Sequence, residues 1–256
     1  MKQLETRNQK IIMSAFRFYK EIGIDTLVLN KNIHNNSFSK SNKIKDDNIE
    51  IKDVNFIKNK DKEIKNLKNS FKDFDGCNLK KLSKNFFNFF GNSNSKLLII
   101  DGPPDIDEDK TGVSFVSNKG SLLEKMLNAI KLKKDDFFIV KSIPWRPPGN
   151  RYPTKEELKT CRPFIINLIK ILRPKIIVCL GEIPTNQLLE LDESIIKVRG
   201  KWRLLKSEKI YRIDELKCDF NVLPTLSISH LLIRPDLKKY AWNDMKLLRD
   251  KIKEIL

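Results

Sequence analysis

Three short stretches of this 256-residue chain carry side chains able to do chemistry. In the first, Asp101 and Asp105 bracket Gly102-Pro-Pro, and Asp107, Glu108 and Asp109 follow directly. Carboxylates gathered in one turn can orient a water or bind a metal, and can equally cap a following helix. Phe115 lies just beyond, a ring that either stacks on a planar ligand or packs into a core. The second stretch, Arg146-Pro-Pro-Gly-Asn-Arg151, holds two guanidinium groups on a proline-stiffened loop. Such a loop grips phosphate or carboxylate at little further entropic cost, or else pairs its arginines with nearby acids. The third stretch is Ser227-Ile-Ser-His230-Leu-Leu-Ile-Arg234. His34 is the only other histidine, so a catalytic imidazole is His230 or none. No glycine-rich dinucleotide loop, Walker loop, nucleophile elbow or paired Cys-x-x-Cys is written in the sequence, which argues against the chemistries those motifs serve.

The elements around these stretches follow from hydrophobic patterning. Strand-sized apolar runs at 96–100, 137–142, 175–180 and 220–225 alternate with helical stretches at 121–130, 154–172, 184–191 and 240–255. Thr154 with Glu157 three residues later is a capping-box signature that fixes one helix start. Buried strands alternating with helices predict an α/β domain over 71–256, a three-layer α/β/α sandwich around a four-stranded, mainly parallel sheet. Ligands of such sheets sit at the carboxyl ends of the strands, which gathers the Asp101 turn, the Arg146 loop, Gly181 and residues 225–234 around one cleft. Ahead of this domain, residues 1–30 predict an amphipathic helix with Ile11, Ile12, Ala15, Phe16, Tyr19 and Ile22 on one face. Residues 31–70, rich in Lys, Asn, Asp and Ser, predict a flexible linker, with a frayed helix around 61–68.

Composition narrows the partner. The formal charge is +17, from 50 Lys and Arg against 33 Asp and Glu, which suits a polyanion whose counterions are released on binding. The Lys, Asn and Ile excess is also what an AT-biased coding sequence produces, so a scaffold protein with incidental charge stays open. Apolar runs are far too short to span a bilayer, and no apolar stretch follows the first charges as a signal peptide requires. The expectation is a cytoplasmic protein without membrane contact, its four unevenly spaced cysteines reduced.

Taken together, the segments resemble the uracil-DNA glycosylase superfamily, and most of all its family 4, the iron-sulfur type. The resemblance is carried by Glu108-Asp109 with Gly112 and Phe115-Val116, by Pro144-Trp-Arg-Pro-Pro-Gly-Asn-Arg-Tyr-Pro-Thr154 with Glu157, and by Cys161-Arg-Pro-Phe164. Arg173-Pro-Lys-Ile-Ile-Val178, Leu180-Gly181, Arg199-Gly-Lys-Trp202, Leu223-Pro-Thr225, Leu231-Leu232 and Lys239-Tyr-Ala-Trp-Asn-Asp244 continue it in order. It implies a monomer that acts on DNA by turning a base out of the duplex, stacking it on Phe115 and reading its edge from the position of Lys141. Arg146 and Arg151 are then DNA-gripping residues, and Leu231, Leu232 and Arg234 belong to the loop that enters the duplex.

The working positions of the family are altered. Its first-loop carboxylate falls on Gly102, its base-reading Asn on Lys141 and its His on Ser227, leaving Asp101, Asp105, Glu108 and His230 as the candidate catalytic groups. The resemblance implies four cysteine ligands, of which only Cys77 and Cys161 are matched, with Phe74 and Trp145 at the other two, so no iron-sulfur cluster and no other metal is expected. Beside the scaffold, two functions stay open: a divergent glycosylase of DNA repair, which leads, and a catalytically silent member that binds DNA or a damaged base.

Overall fold

The computed structural model describes residues 53–87, 89–206 and 219–255. The helix expected over 1–30, the first part of the expected linker and Cys218 lie outside these residues. In chain order the helices and strands are α1 (Asp53–Asp73), α2 (Leu79–Leu82), β1 (Phe90–Gly91), β2 (Leu97–Asp101), α3 (Ile106–Thr111), α4 (Ser117–Ala129) and β3 (Phe138–Lys141). There follow α5 (Lys155–Leu172), β4 (Ile176–Leu180), α6 (Glu182–Leu189), α7 (Ile195–Val198), β5 (Arg203–Leu205), β6 (Phe220–Thr225), α8 (Ile228–Ile233) and α9 (Lys238–Ile255).

The sheet order is β1-β3-β2-β4-β6-β5. Its four central strands are parallel, as the patterning predicts, and their alternating side chains divide two cores. Leu98, Ile100, Val140, Ile177 and Cys179 face α1, α5 and α6, whereas Leu97, Ile99, Ile139, Val178 and Leu223 face α4, α7, α8 and α9. The result is the α/β/α sandwich, with each parallel strand buried on both faces. Two short antiparallel edge strands, β1 on β3 and β5 on β6, widen the expected four-stranded sheet to six. With two and three residues, they are too short to show a period in the sequence.

Residues 53–70, expected as linker, are instead most of α1. Among its many lysines, Ile64, Leu67 and Phe71 recur at helical spacing and pack into the core shared with α5. Phe71 stacks on Phe164 with ring centroids 3.5 Å apart and meets Trp145 edge-on at 5.3 Å. Lys60 Nζ donates to the Leu172 carbonyl at the end of α5, 3.3 Å away. The linker therefore does not extend to residue 70. Phe71→Ala is expected to cost about 3–5 kcal/mol of stability, readable as a lowered urea midpoint with unchanged slope.

Candidate functional site

The carboxyl ends of β2, β4 and β6 open onto a cleft of about 550 Å³, lined by Asp101, Gly102, Asp105, Arg151, Ser227 and His230 among others. The Asp101 turn, the Arg146–Arg151 loop, Gly181 and the α8 segment do meet there, as the strand order requires.

The acidic residues of the first turn are largely occupied in holding it. Asp105 is the N-cap of α3, accepting from the Asp107 and Glu108 amides at 3.1 and 2.9 Å, and Glu108 Oε2 accepts in return from the Asp105 amide at 3.0 Å. Asp109 Oδ1 accepts from the Ser83 hydroxyl and from the amides of Lys84 and Asn85, tying that loop to α3. Glu108 is fully buried, and its Oε1 also accepts from the Phe115 amide at 2.7 Å. That bond helps hold Phe115 at φ 56°, a left-handed conformation costly for an aromatic residue. Gly120 is required beside it, because a Cβ there would lie 1.8 Å from the Phe115 carbonyl oxygen.

Behind the cleft lies an ionic cluster. Lys141, 2% exposed, donates from Nζ to Asp101 Oδ2 and Glu108 Oε1, both at 2.7 Å. Lys119 Nζ lies 3.0 Å from Glu108 Oε2, 3.2 Å from Asp101 Oδ2 and 3.7 Å from Asp105 Oδ2. Burial works to raise the Asp101 carboxyl, but the Lys119 and Lys141 ammonium groups outweigh it and hold that carboxyl below its ordinary value. For Lys119, burial works to lower the ammonium, and Asp101, Glu108 and Asp105 more than compensate, pushing it well above the ordinary range. Lys141 Nζ also sits over the Phe115 ring, 4.4 Å from its centroid, with Lys119 Nζ at 5.4 Å. The ring face that the resemblance assigns to a base thus carries an internal ammonium, and Phe115 does not line the cleft.

The other candidates divide. Gly102 faces open space, since a Cβ there would meet nothing within 4 Å. Ser227 caps α8, its hydroxyl accepting from the His230 amide at 3.2 Å, and the His230 ring lines the cleft. Arg151 forms a two-pronged pair with Glu157 at 2.7 and 2.9 Å and Arg146 donates to Asn150 at 2.7 Å, so both guanidinium groups already brace their loop. Leu231 was expected in the duplex-entering loop but is 0% exposed, packed with Ile228 in the core under α8. Ile233, 78% exposed, lines the cleft, Leu232 before it is exposed, and Arg234 is exposed and paired with Asp236 at 3.0 Å. A helix starting at Ile228 puts residues 228 and 231 on the inner side, and that spacing is the signal that separates Leu231 from its neighbours. Lys119 and Tyr152 also line the cleft without being foreseen, and Tyr152 donates to Glu182 at 2.9 Å. Burial, with Glu182 beside it, pushes the Tyr152 phenol well up.

The cluster positions have been filled differently. Cys77 and Cys161 are buried free thiols, and the influence of each on the other eases ionisation of Cys77 and, with burial, opposes that of Cys161. Phe74 packs edge-on against Phe164, and Trp145 lies against Phe71 and Phe86, so aromatic rings occupy the other two positions. Two thiols and two rings do not fit a cluster held by four thiolates. No group of three or more His, Cys, Asp or Glu residues suited to a metal ion occurs among the described residues.

A mainly parallel sheet covered on both faces, with an acidic turn, an Arg-Pro-Pro loop and a Ser/His helix meeting at the strand ends, defines an α/β/α domain with its site at the carboxyl ends of the strands. The family described as the uracil DNA glycosylase superfamily matches residues 88–246, and the chain belongs to it. It is 30% identical over 174 residues to a type-4 uracil-DNA glycosylase of Archaeoglobus fulgidus, covering 66% of this chain and 83% of that one. It is 35% identical over 185 residues to the type-4 uracil-DNA glycosylase of Saccharolobus solfataricus, covering 70% and 80%. With the enzyme of that type from Sulfurisphaera tokodaii it shares 34% identity over 168 residues, covering 62% and 71%.

Proposed function

We propose that this chain is a DNA-binding member of the superfamily, serving DNA repair, that does not excise uracil by the family's route. The observation that carries the reading is the Lys141 ammonium, buried over Phe115 and bonded to Asp101 and Glu108. An ammonium has only donors and so cannot accept from the uracil N–H. With Lys141 in place, the Phe115 ring face that its ammonium covers is not free for a base. Both oxygens of Glu108 are taken up by four donors, and Gly102 and Ser227 supply neither carboxylate nor imidazole.

DNA binding is supported by the relatives' names, by the net charge of +17 and by the exposed apolar Ile233 at the cleft, with exposed Leu232 next to it in the chain. Apolar side chains of that kind can enter a base step. We read the protein as a monomer of the cytoplasm; no described helix is long and apolar enough to cross a membrane.

The test has two parts. Single-turnover excision from single- and double-stranded uracil oligonucleotides should run at least about 1,000-fold below that of a type-4 relative assayed alongside, since both charge stabilisation and acid-base help are missing. Duplex binding should weaken steeply from 50 to 200 mM salt and fall in Ile233→Asp for all sequences alike. Robust uracil excision would overturn the reading. A second reading rests on His230 and Asp105 lining one cleft: a glycosylase that uses these two residues. Excision of any base that is lost in His230→Ala would establish it.

A further inference from the structure

We propose that residues 1–30, which lie outside the described residues, dock as an amphipathic helix in a furrow between α4 and α9. The furrow is separate from the cleft, and the proposal does not depend on the DNA-binding reading. Its narrow part, about 220 Å³, is lined by Leu122 and Met126 of α4, by Ala241, Trp242 and Met245 of α9, and by Leu231 of α8. Trp242 is 42% exposed there, a large ring left partly in water. Ala129 also lines a second cavity of about 710 Å³, with Ile130, Leu132 and Ile252, so the two make one continuous trough. Along α9 the lining positions 241, 242, 245, 249 and 252 form a single stripe over most of the helix. Walls built of helix stripes receive a third helix, whose side-chain ridges fill the trough between them.

The sequence supplies a matching stripe. Ile12, Ala15, Phe16, Tyr19 and Ile22 repeat at the same spacing, and on a helix Ile12 to Ile22 covers about 15 Å of axis, as Trp242 to Ile252 does. The chain also enters the described domain at the right pole. Lys60 of α1 lies near enough to Lys96 and Arg173 for their charges to act on it, and Lys96 lines the wider part of the furrow. Lys175, two residues past Arg173, donates from Nζ to the Ile255 carbonyl at 3.2 Å, which brings the end of α9 to the same place. Residues 31–52 can span up to about 70 Å when extended, ample to carry a helix from the start of α1 to the furrow. A tethered helix meets its site at an effective concentration on the order of millimolar, so a furrow of modest area suffices. A separate partner would have to overcome the full loss of translational and rotational freedom on the same small surface. Docked, the helix covers Trp242 and lays a further apolar layer over Leu231, next in the chain to His230.

Photo-crosslinking in the full chain tests this. Lys125 and Lys238 are exposed and line the furrow, and a benzophenone amino acid at either position should join to a peptide within residues 1–30, in a product of monomer mass. Hydrogen exchange gives the second measurement. Amides of residues 10–22 and of α9 should exchange at least about tenfold more slowly in the wild type than in the double variant Ile12→Asp/Phe16→Asp. Protection of β2 and β4 should be unchanged, reporting that the domain is folded. Met126→Asp, which alters the furrow and leaves the segment intact, should release the same amides of residues 10–22. A cross-link between two chains, read from a mixture of light and heavy isotope-labelled protein, overturns the proposal in favour of a second copy as occupant. It is equally overturned by the absence of any cross-link to residues 1–30, or by α9 exchange that is the same in the wild type and in the folded double variant.

Discussion

Lys141→Met is expected to lower stability by about 3–5 kcal/mol at neutral pH, the usual result of stripping one partner from a buried ion pair. The side chain is 1% exposed and its ammonium neutralises Asp101 and Glu108, which are themselves 3% and 0% exposed, so no water can replace it. Methionine matches the length and would keep the contact with Phe115, which confines the loss to charge. The pH dependence gives the effect a signature. Lys119 and Lys141 hold the Asp101 carboxyl below its ordinary value, so in the wild type it stabilises the fold above its unfolded pKa of about 3.9. That contribution disappears as pH falls through the lower folded value. Without Lys141, burial raises the Asp101 carboxyl, and protonation then relieves the uncompensated charge. The stability gap between variant and wild type should therefore narrow from pH 7 to pH 4 in urea melts. A constant gap would mean that packing, not charge, is what Lys141 supplies.

The second large effect is a gain. Gly102→Glu, Lys141→Asn and Ser227→His together should raise uracil excision by at least about 100-fold over the wild type, since each class of missing group is worth on that order or more. The three changes are not additive, and only the combination restores carboxylate, base-reading amide and imidazole at once. Geometry favours it at Gly102, where a side chain enters open space. It is less kind at Ser227, whose hydroxyl caps α8 and whose loss costs about 1 kcal/mol. Taking Lys141 out while adding a glutamate also leaves Lys119 as the one described cation bonded to Asp101 and Glu108, so the assay belongs well below the variant's melting temperature. A folded triple variant that stays inactive would show that the cleft has moved away from family geometry.

Much of this was legible in the sequence, for identifiable reasons. The four parallel strands are long enough to show their apolar runs, and the Thr154–Glu157 capping box marked the start of α5 where the chain places it. The edge strands were not legible, because two or three residues have no period. The core role of α1 was hidden because Ile64, Leu67 and Phe71 sit among lysines and asparagines that dominate any window average. At the site, sequence correctly brought Asp101, Asp105, Ser227 and His230 to one cleft, since topology alone decides that. It did not reveal that Asp105 and Glu108 are spent on capping and ion pairing, or that Lys119 completes the cluster. A lysine early in a helix gives no local sign of the carboxylates it will meet 11 and 18 residues upstream. Leu231 went astray for a local reason: without the exact start of α8, inward and outward leucines look alike.

The central claim is that an internal ammonium stands where the family places a base, and lysine-selective nitrogen-15 NMR addresses it directly. In protein labelled at lysine Nζ, Lys141 should give a protected, slowly exchanging ammonium resonance, shifted by the Phe115 ring 4.4 Å away and missing in Lys141→Met. That resonance should stay in place when the protein is saturated with a uracil-containing duplex. If no such resonance exists, or if uracil DNA displaces it into fast exchange with water, the base site is open and the account is wrong.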